Sequence, residues 1–347
     1  MFPELHVNTN AIASNAQVLR ERCKRVGVDV AAVTKVVCAD LTISQALVQS
    51  GVTMLADSRL QNLRKLQAAG WDVPLLLLRV PMLGEIPQLV DTADLVLVSE
   101  LRSVQEILGA KGRKKPGMLY MVDVGDLREG VWIEQAYDEI ARAQQMAQER
   151  LVGVGTNLGC FGGVLPDVQN MGKIVELARA FSLPIVSGGN TAALYLVENQ
   201  SLPQGVNHFR LGESIMLGTD VTGNRQVPGT RQDTFRLVAQ VVEAKQKPSV
   251  PRGTIGQDAF GRVPHFVDKG WRKKAILAVG EQDIQPDGLI PLQEGIEVLH
   301  ASSDHTIIDV TRCPEEICVG DTVAFGLTYG ALLRAMTSEY VQKKFVV

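Results

Sequence analysis

Between residues 28 and 211 the chain repeats one pattern, a short continuous apolar run followed by a longer amphipathic stretch. Continuous apolar runs read as strands buried on both faces, and the stretches between them read as the crossover helices that parallel strands require. The runs fall at 28–37, 53–56, 74–80, 95–98, 117–124, 151–156, 184–186 and 206–211, with helical periodicity at 41–49, 59–68 and 135–150 among the intervening stretches. Eight parallel strands are enough to close a sheet on itself. An open doubly wound sheet is the rival architecture, but its G-x-G-x-x-G signature after an early strand is missing. The expected fold is α/β, a (β/α)8 TIM barrel.

After Gly218 the character changes. Residues 219–233 are polar and rich in turn formers, and 235–244, 274–280, 295–300, 306–310 and 321–325 then read as strands with period-two alternation. The expected organisation is a barrel over 9–218 followed by a C-terminal mostly-β domain over 219–347, joined by a strand-like segment within 1–8. Lys and Arg total 35 against 38 Asp and Glu, a net charge of −3, and no basic stripe interleaves with aromatics, which argues against a nucleic-acid partner. No apolar run is long enough for a membrane span. Five cysteines without a C-x-x-C pair, no metal-ligand spacing and no leader-like start point to a reducing, cytoplasmic setting and no metal.

Three features carry chemistry. Lys35 lies at the apolar end of the first barrel strand, where an amine is expensive unless used. Desolvation lowers an amine's pKa and makes it a nucleophile toward carbonyls, while a snorkelling lysine at a strand end is the structural alternative. Ser187-Gly188-Gly189-Asn190-Thr191 follows the seventh strand and Arg210-Leu211-Gly212-Glu213-Ser214 ends the eighth. Loops after strands seven and eight are where barrels bind phosphate, although Asn190 or Thr191 would also serve as an ordinary helix N-cap. Lysine, phosphate cradle and adjacent arginine together suggest pyridoxal 5′-phosphate.

The segments Ala32-Val33-Thr34-Lys35 and His208-Phe209-Arg210-Leu211-Gly212 resemble the alanine racemase-like family, a cofactor-bearing barrel followed by a β-domain. Ala56-Asp57-Ser58-Arg59, Met121 to Gly130, Gly155-Thr156-Asn157-Leu158, Ser187-Gly188-Gly189-Asn190 and Ala301-Ser302-Ser303-Asp304-His305 are similar to its ornithine racemase branch. The resemblance implies that Lys35 carries pyridoxal 5′-phosphate and acts as a base on one face. It places Arg210 at the pyridine nitrogen, Thr191, Ser214 and the Gly212 and Glu213 amides at the phosphate with Ser187, Gly189 and Asn190 beside them, and Arg128 at the substrate carboxylate. It also implies a homodimer whose active site lies at the subunit interface.

Four positions depart from that family pattern. Ala39 stands where a tyrosine contacts phosphate, leaving that contact to Tyr340; Met121 stands where a lysine braces the counterpart of Arg128; and Asn157 replaces a histidine beside the pyridine-side arginine. Glu281, in Gly280-Glu281-Gln282-Asp283, stands where the partner's catalytic tyrosine belongs, so the opposite-face acid/base falls to Glu281, Cys160 or His305. Each also has a bland reading, as a surface charge, a packed small residue and a structural hydrogen-bonder. A basic substrate such as ornithine needs a carboxylate for its distal ammonium, and Asp283 and Asp304, with Ser303 adjoining, are the expected groups. The function expected is racemisation of an amino acid, ornithine first, with alanine, lysine or serine as alternative substrates. A non-catalytic carrier of the cofactor, or a decarboxylase or aldolase on the same residues, are the competing classes. The β-domain argues against a carrier.

Overall fold

The structure is a computed structural model and describes residues 2–346; Met1 and Val347, at the outer limits of the expected β-domain, lie outside the described residues. Eight parallel strands, Asp29–Val33, Leu55–Asp57, Leu75–Leu77, Leu95–Val98, Gly117–Asp123, Leu151–Gly155, Ile185–Ser187 and His208–Leu211, pair each with the next. The first and eighth also pair, with Phe209 opposite Val30, so the sheet closes into a barrel. Its interior is filled by Ala31, Val33, Ala56, Leu76, Leu97, Leu119 and Met121, one or two side chains from each of the first five strands.

The helices alternate with the strands, Leu41–Gln49, Leu60–Ala68 and Ala136–Ala147 among them. Leu41–Gln49 starts where Asp40 accepts the Ile43 N–H at 3.0 Å, and Val168–Ala180 starts on a reciprocal capping box between Asp167 and Asn170.

The first strand is shorter than its apolar run. It ends at Val33, and Lys35–Val37 form a 3-10 turn. Cys38 and Ala39 then take left-handed backbone angles, φ 51° and 48°, which swing the chain round to the helix cap at Asp40. Lys35 is therefore on the rim beyond the strand rather than within it.

The chain divides into two compact units. The barrel unit is Asn10–Gln232, so the expected boundary at 218 is corrected to 232. Residues 219–232 belong to the barrel because Thr219 Oγ1 donates to Glu213 at 2.7 Å, Arg225 pairs with Asp220 and Glu198, and the Arg231 N–H donates to Asn15.

The second unit joins the N-terminal segment through Thr9 to the chain from Asp233 onward. Glu4–Asn8 pairs antiparallel with the long strand Phe235–Pro248 and parallel with Gln342–Val346. Trp271–Leu277, Glu297–Ala301, Thr306–Asp309 and Thr322–Leu327 complete the expected strands; Leu289–Pro291, Gln342–Val346 and the helix Tyr329–Thr337 are additional.

Candidate active site

At the carboxyl ends of the barrel strands a cavity of about 350 Å³ is lined by Lys35, Ser58, Leu78, Arg79, Val80, Arg128 and Glu129. The Lys35 amine is held below the usual lysine range, chiefly by burial and further by Arg128, against opposing influence from Cys160, Asp57 and Glu129. Asp57, fully buried, accepts from Thr34 Oγ1 at 2.8 Å, the Arg59 N–H at 2.9 Å and Asn62 Nδ2 at 3.0 Å; burial raises its pKa despite these bonds. Thr34, the residue before Lys35, is thereby tied to the carboxyl end of the neighbouring strand, which fixes the turn that carries the amine.

Arg210 is buried on the eighth strand. One terminal nitrogen donates to Ser187 Oγ and the other to the Thr156 carbonyl at 2.7 Å. Ser187 Oγ lies 2.8 Å from His208 Nδ1. Because the guanidinium can only donate, the serine proton goes to His208 Nδ1, which assigns His208 as neutral with its proton on Nε2. Burial, then Arg210, pushes the His208 pKa down to about 3, consistent with that proton count. Asn157, expected beside Arg210, instead accepts from Asn190 Nδ2 at 3.1 Å.

The seventh and eighth strand ends meet through hydroxyls. Thr191 Oγ1 and Ser214 Oγ are 3.0 Å apart, and the Ser214 N–H donates to Thr191 Oγ1 at 3.2 Å. Only one hydroxyl proton is used between the two oxygens, so the other is available to an anion. Gly189 has φ 109°, and Gly212 sits where an added Cβ would lie 3.2 Å from the Val33 side chain. Asn190 is committed elsewhere: its oxygen caps the Ala192 N–H and its amide donates to Asn157, the Leu158 carbonyl and Cys160 Sγ. The Glu213 side chain points to Thr219 and the Val221 N–H, leaving only its backbone for a ligand; burial raises its pKa to about 7.

Cys160 is exposed on a turn clamped by a residue the sequence did not single out. Asp126, fully buried, accepts the Gly159 and Val164 N–H groups on one carboxylate oxygen at 3.1 and 3.2 Å, and those of Cys160 and Phe161 on the other at 3.1 and 2.9 Å. The loop bearing Arg128 and the loop bearing Cys160 are thus tied together. Asp57, Arg79, Glu129 and His208 were also missed; a charged or polar residue at a barrel strand's carboxyl end was the available signal for Asp57 and Arg79. Met121, in place of a bracing lysine, is part of the apolar barrel core.

The remaining expected residues gather in the β-unit. The Glu281 and Gln282 N–H groups donate to the Ser302 and Ser303 carbonyls, an approach possible because an added Cβ on Gly280 would lie 2.3 Å from the Ser303 oxygen. Asp304 accepts from Ser303 Oγ at 2.6 Å, and His305 closes the same turn through its carbonyl. Asp283 accepts from Ser338 Oγ at 2.6 Å, and with Glu281 and Tyr340 it lines a cavity of about 770 Å³. Glu281 is not a free carboxylate: Arg262 holds it at 2.5 Å.

The family described as alanine racemase, N-terminal domain, matches residues 7–220. A lysine racemase of Thermotoga maritima is 43% identical over 353 residues, covering 99% of each chain. An ornithine racemase of Acetoanaerobium sticklandii is 39% identical over 355 residues and covers the whole of both. The fold recurs in the crystal structure of alanine racemase from Streptomyces lavendulae, with a TM-score of 0.74 at 17% identity over 99% of this chain and 97% of the other.

Proposed function

The chain belongs to the alanine racemase family, and from that premise we propose that it racemises an amino acid with a basic side chain, ornithine first, using pyridoxal 5′-phosphate held by Lys35. The observation that carries the reading is the cavity lined by both a desolvated lysine, Lys35, and an arginine, Arg128, in a chain similar to two diamino-acid racemases along its full length. The residues fit the cofactor. Lys35 offers an amine for its aldehyde, Arg210 a fixed cation for the ring nitrogen, and the Thr191–Ser214 pair a spare hydroxyl proton for its phosphate, with Gly189 and Gly212 keeping that approach open.

When bound, the cofactor supplies an electron sink that acidifies the Cα–H of the attached amino acid. Lys35 Nζ, with its proton affinity lowered by burial, takes or returns the proton on one face. Arg128 holds the α-carboxylate and fixes which face is presented. Arg210, anchored by Ser187 and Thr156 with further N–H groups to spare and unable to surrender a proton readily, would keep the ring a moderate sink and so favour return of the proton to Cα. The opposite face needs a second group, and Cys160, Glu281 and His305 are the candidates in this reading. Glu281 would have to break from Arg262 to serve.

We further take the enzyme to be a cytoplasmic homodimer in which the Asp283 and Asp304 region of one subunit completes the partner's site and receives the distal ammonium. Lysine is the second substrate reading, favoured by the 43% identity to a lysine racemase. Incubating the holoenzyme with single L-amino acids and resolving the products on a chiral column tests both: D-ornithine or D-lysine supports the proposal. Conversion of alanine alone, or a product of altered mass, would reject it.

A further inference from the structure

Arg128 and Glu129 occupy adjacent positions on a loop whose backbone is fixed at both ends. On one side the Gly125 and Asp126 N–H groups donate to Asp123 Oδ1 at 2.8 and 3.0 Å, and the Asp126 carboxylate binds the neighbouring loop. On the other, Val131 pairs with Val122, and Gly130, at φ 133°, passes so close that a Cβ would lie 2.6 Å from the Asp123 nitrogen. The backbone alone does not fix the direction of the long, flexible Arg128 side chain, which is 38% exposed where it lines the cavity.

Glu129 removes that freedom. Its Oε2 lies 2.5 Å from Arg128 Nε, its side chain is only 17% exposed against 38% for Arg128, and both line the Lys35 cavity. A carboxylate on Nε leaves the edge formed by the two terminal nitrogens for a second carboxylate in the bidentate geometry arginine favours. We infer that Glu129 is a positioning residue, which holds Arg128 by its inner nitrogen so that the terminal edge meets the α-carboxylate of the substrate. The inference rests on the racemase reading. It differs from assigning Glu129 to the substrate's distal ammonium, the other use for a carboxylate in this cavity.

The test is a double-substitution cycle on the holoenzyme, with kcat and KM measured for L-ornithine and L-lysine and for the uncharged analogues norvaline and norleucine. Glu129→Ala should raise KM about tenfold or more with kcat within about threefold, by the same factor for charged and uncharged substrates. Glu129→Gln, isosteric and still offering an oxygen to Nε–H, should recover most of the loss. In an Arg128→Ala background, Glu129→Ala should change kcat/KM by less than about twofold, since nothing remains to be oriented. An equal loss in both backgrounds would make Glu129 mere scaffold, and an unchanged KM in Glu129→Ala would also overturn the inference. A loss confined to ornithine and lysine would assign Glu129 to the distal ammonium and overturn it too. A parent enzyme that turns over none of these amino acids would refute the racemase reading itself, and the inference with it, in a separate arm of the experiment.

Discussion

Asp126→Asn should loosen the mouth of the barrel without touching its core. The carboxylate accepts four backbone N–H groups, two on each oxygen, from residues 159 to 164. Asparagine keeps one oxygen and its two bonds, but sets an NH₂ against two N–H donors. Hydrogen bonds to a charged group contribute about 1.5–3 kcal/mol each, so losing two costs about 3–6 kcal/mol, the size expected when a buried charge network loses a member. For a unit of this size each kcal/mol moves the melting temperature by about 2–4 °C, which puts the shift at about 6 °C or more. Differential scanning calorimetry reads the shift, and limited proteolysis within 158–164 reads its location. A melting temperature within about 1 °C of the parent, with unchanged cleavage, would show that Asp126 does not clamp the loop.

The barrel was legible because each strand is a continuous apolar run, and the pairing of the first and eighth strands follows from their number. The end of the first strand was not. Nothing in Thr34-Lys35-Val36-Val37-Cys38-Ala39 signals a turn, since the left-handed residues are Cys38 and Ala39 rather than glycine. Asp126 escaped notice for a different reason: a loop aspartate is unexceptional until the loop it holds arrives 33 residues later. Residues 219–232 read as a linker by composition, yet they are fastened to the barrel by Glu213, Glu198 and Asn15, partners that only the fold brings near. In the β-unit, Leu289–Pro291 is too short and Gln342–Val346 too charged for alternation to reveal. Lys35 and the two glycine loops drew attention because barrel chemistry collects at strand ends, whereas Arg128 entered only through the family resemblance. The association of Gly280–Asp283 with Ser302–His305 depends on a missing Cβ, which sequence spacing alone does not disclose.

His208, buried, and Glu213, half-buried, should make opposed contributions to the pH dependence of stability. His208, held at about 3, leaves the unfolded chain to bind the extra proton below pH 6.5, so stability falls by about 2 kcal/mol from pH 6.5 to 5. Glu213, raised to about 7, makes the folded chain hold the extra proton between pH 4.5 and 7, so its contribution declines as pH rises through that window. Urea titrations at pH 5, 6 and 7 should therefore show stability rising with pH more steeply in Glu213→Gln than in the parent, and less steeply in His208→Asn; identical slopes in all three would exclude both assignments. Asp304→Asn should cost about 2 kcal/mol in kcat/KM for ornithine while sparing norvaline, and equal losses on the two substrates would make that aspartate scaffold.

The central claim is that Lys35 moves a proton at the substrate's Cα. Incubating the holoenzyme with L-ornithine in D₂O, and scoring chirality and deuterium at Cα together, tests it most directly, with Lys35→Ala as the paired sample. The parent should give D-ornithine carrying deuterium at Cα and Lys35→Ala neither inversion nor exchange, because one substitution removes both the cofactor's anchor and a base. Inversion without deuterium at Cα, or undiminished exchange in Lys35→Ala, would contradict it.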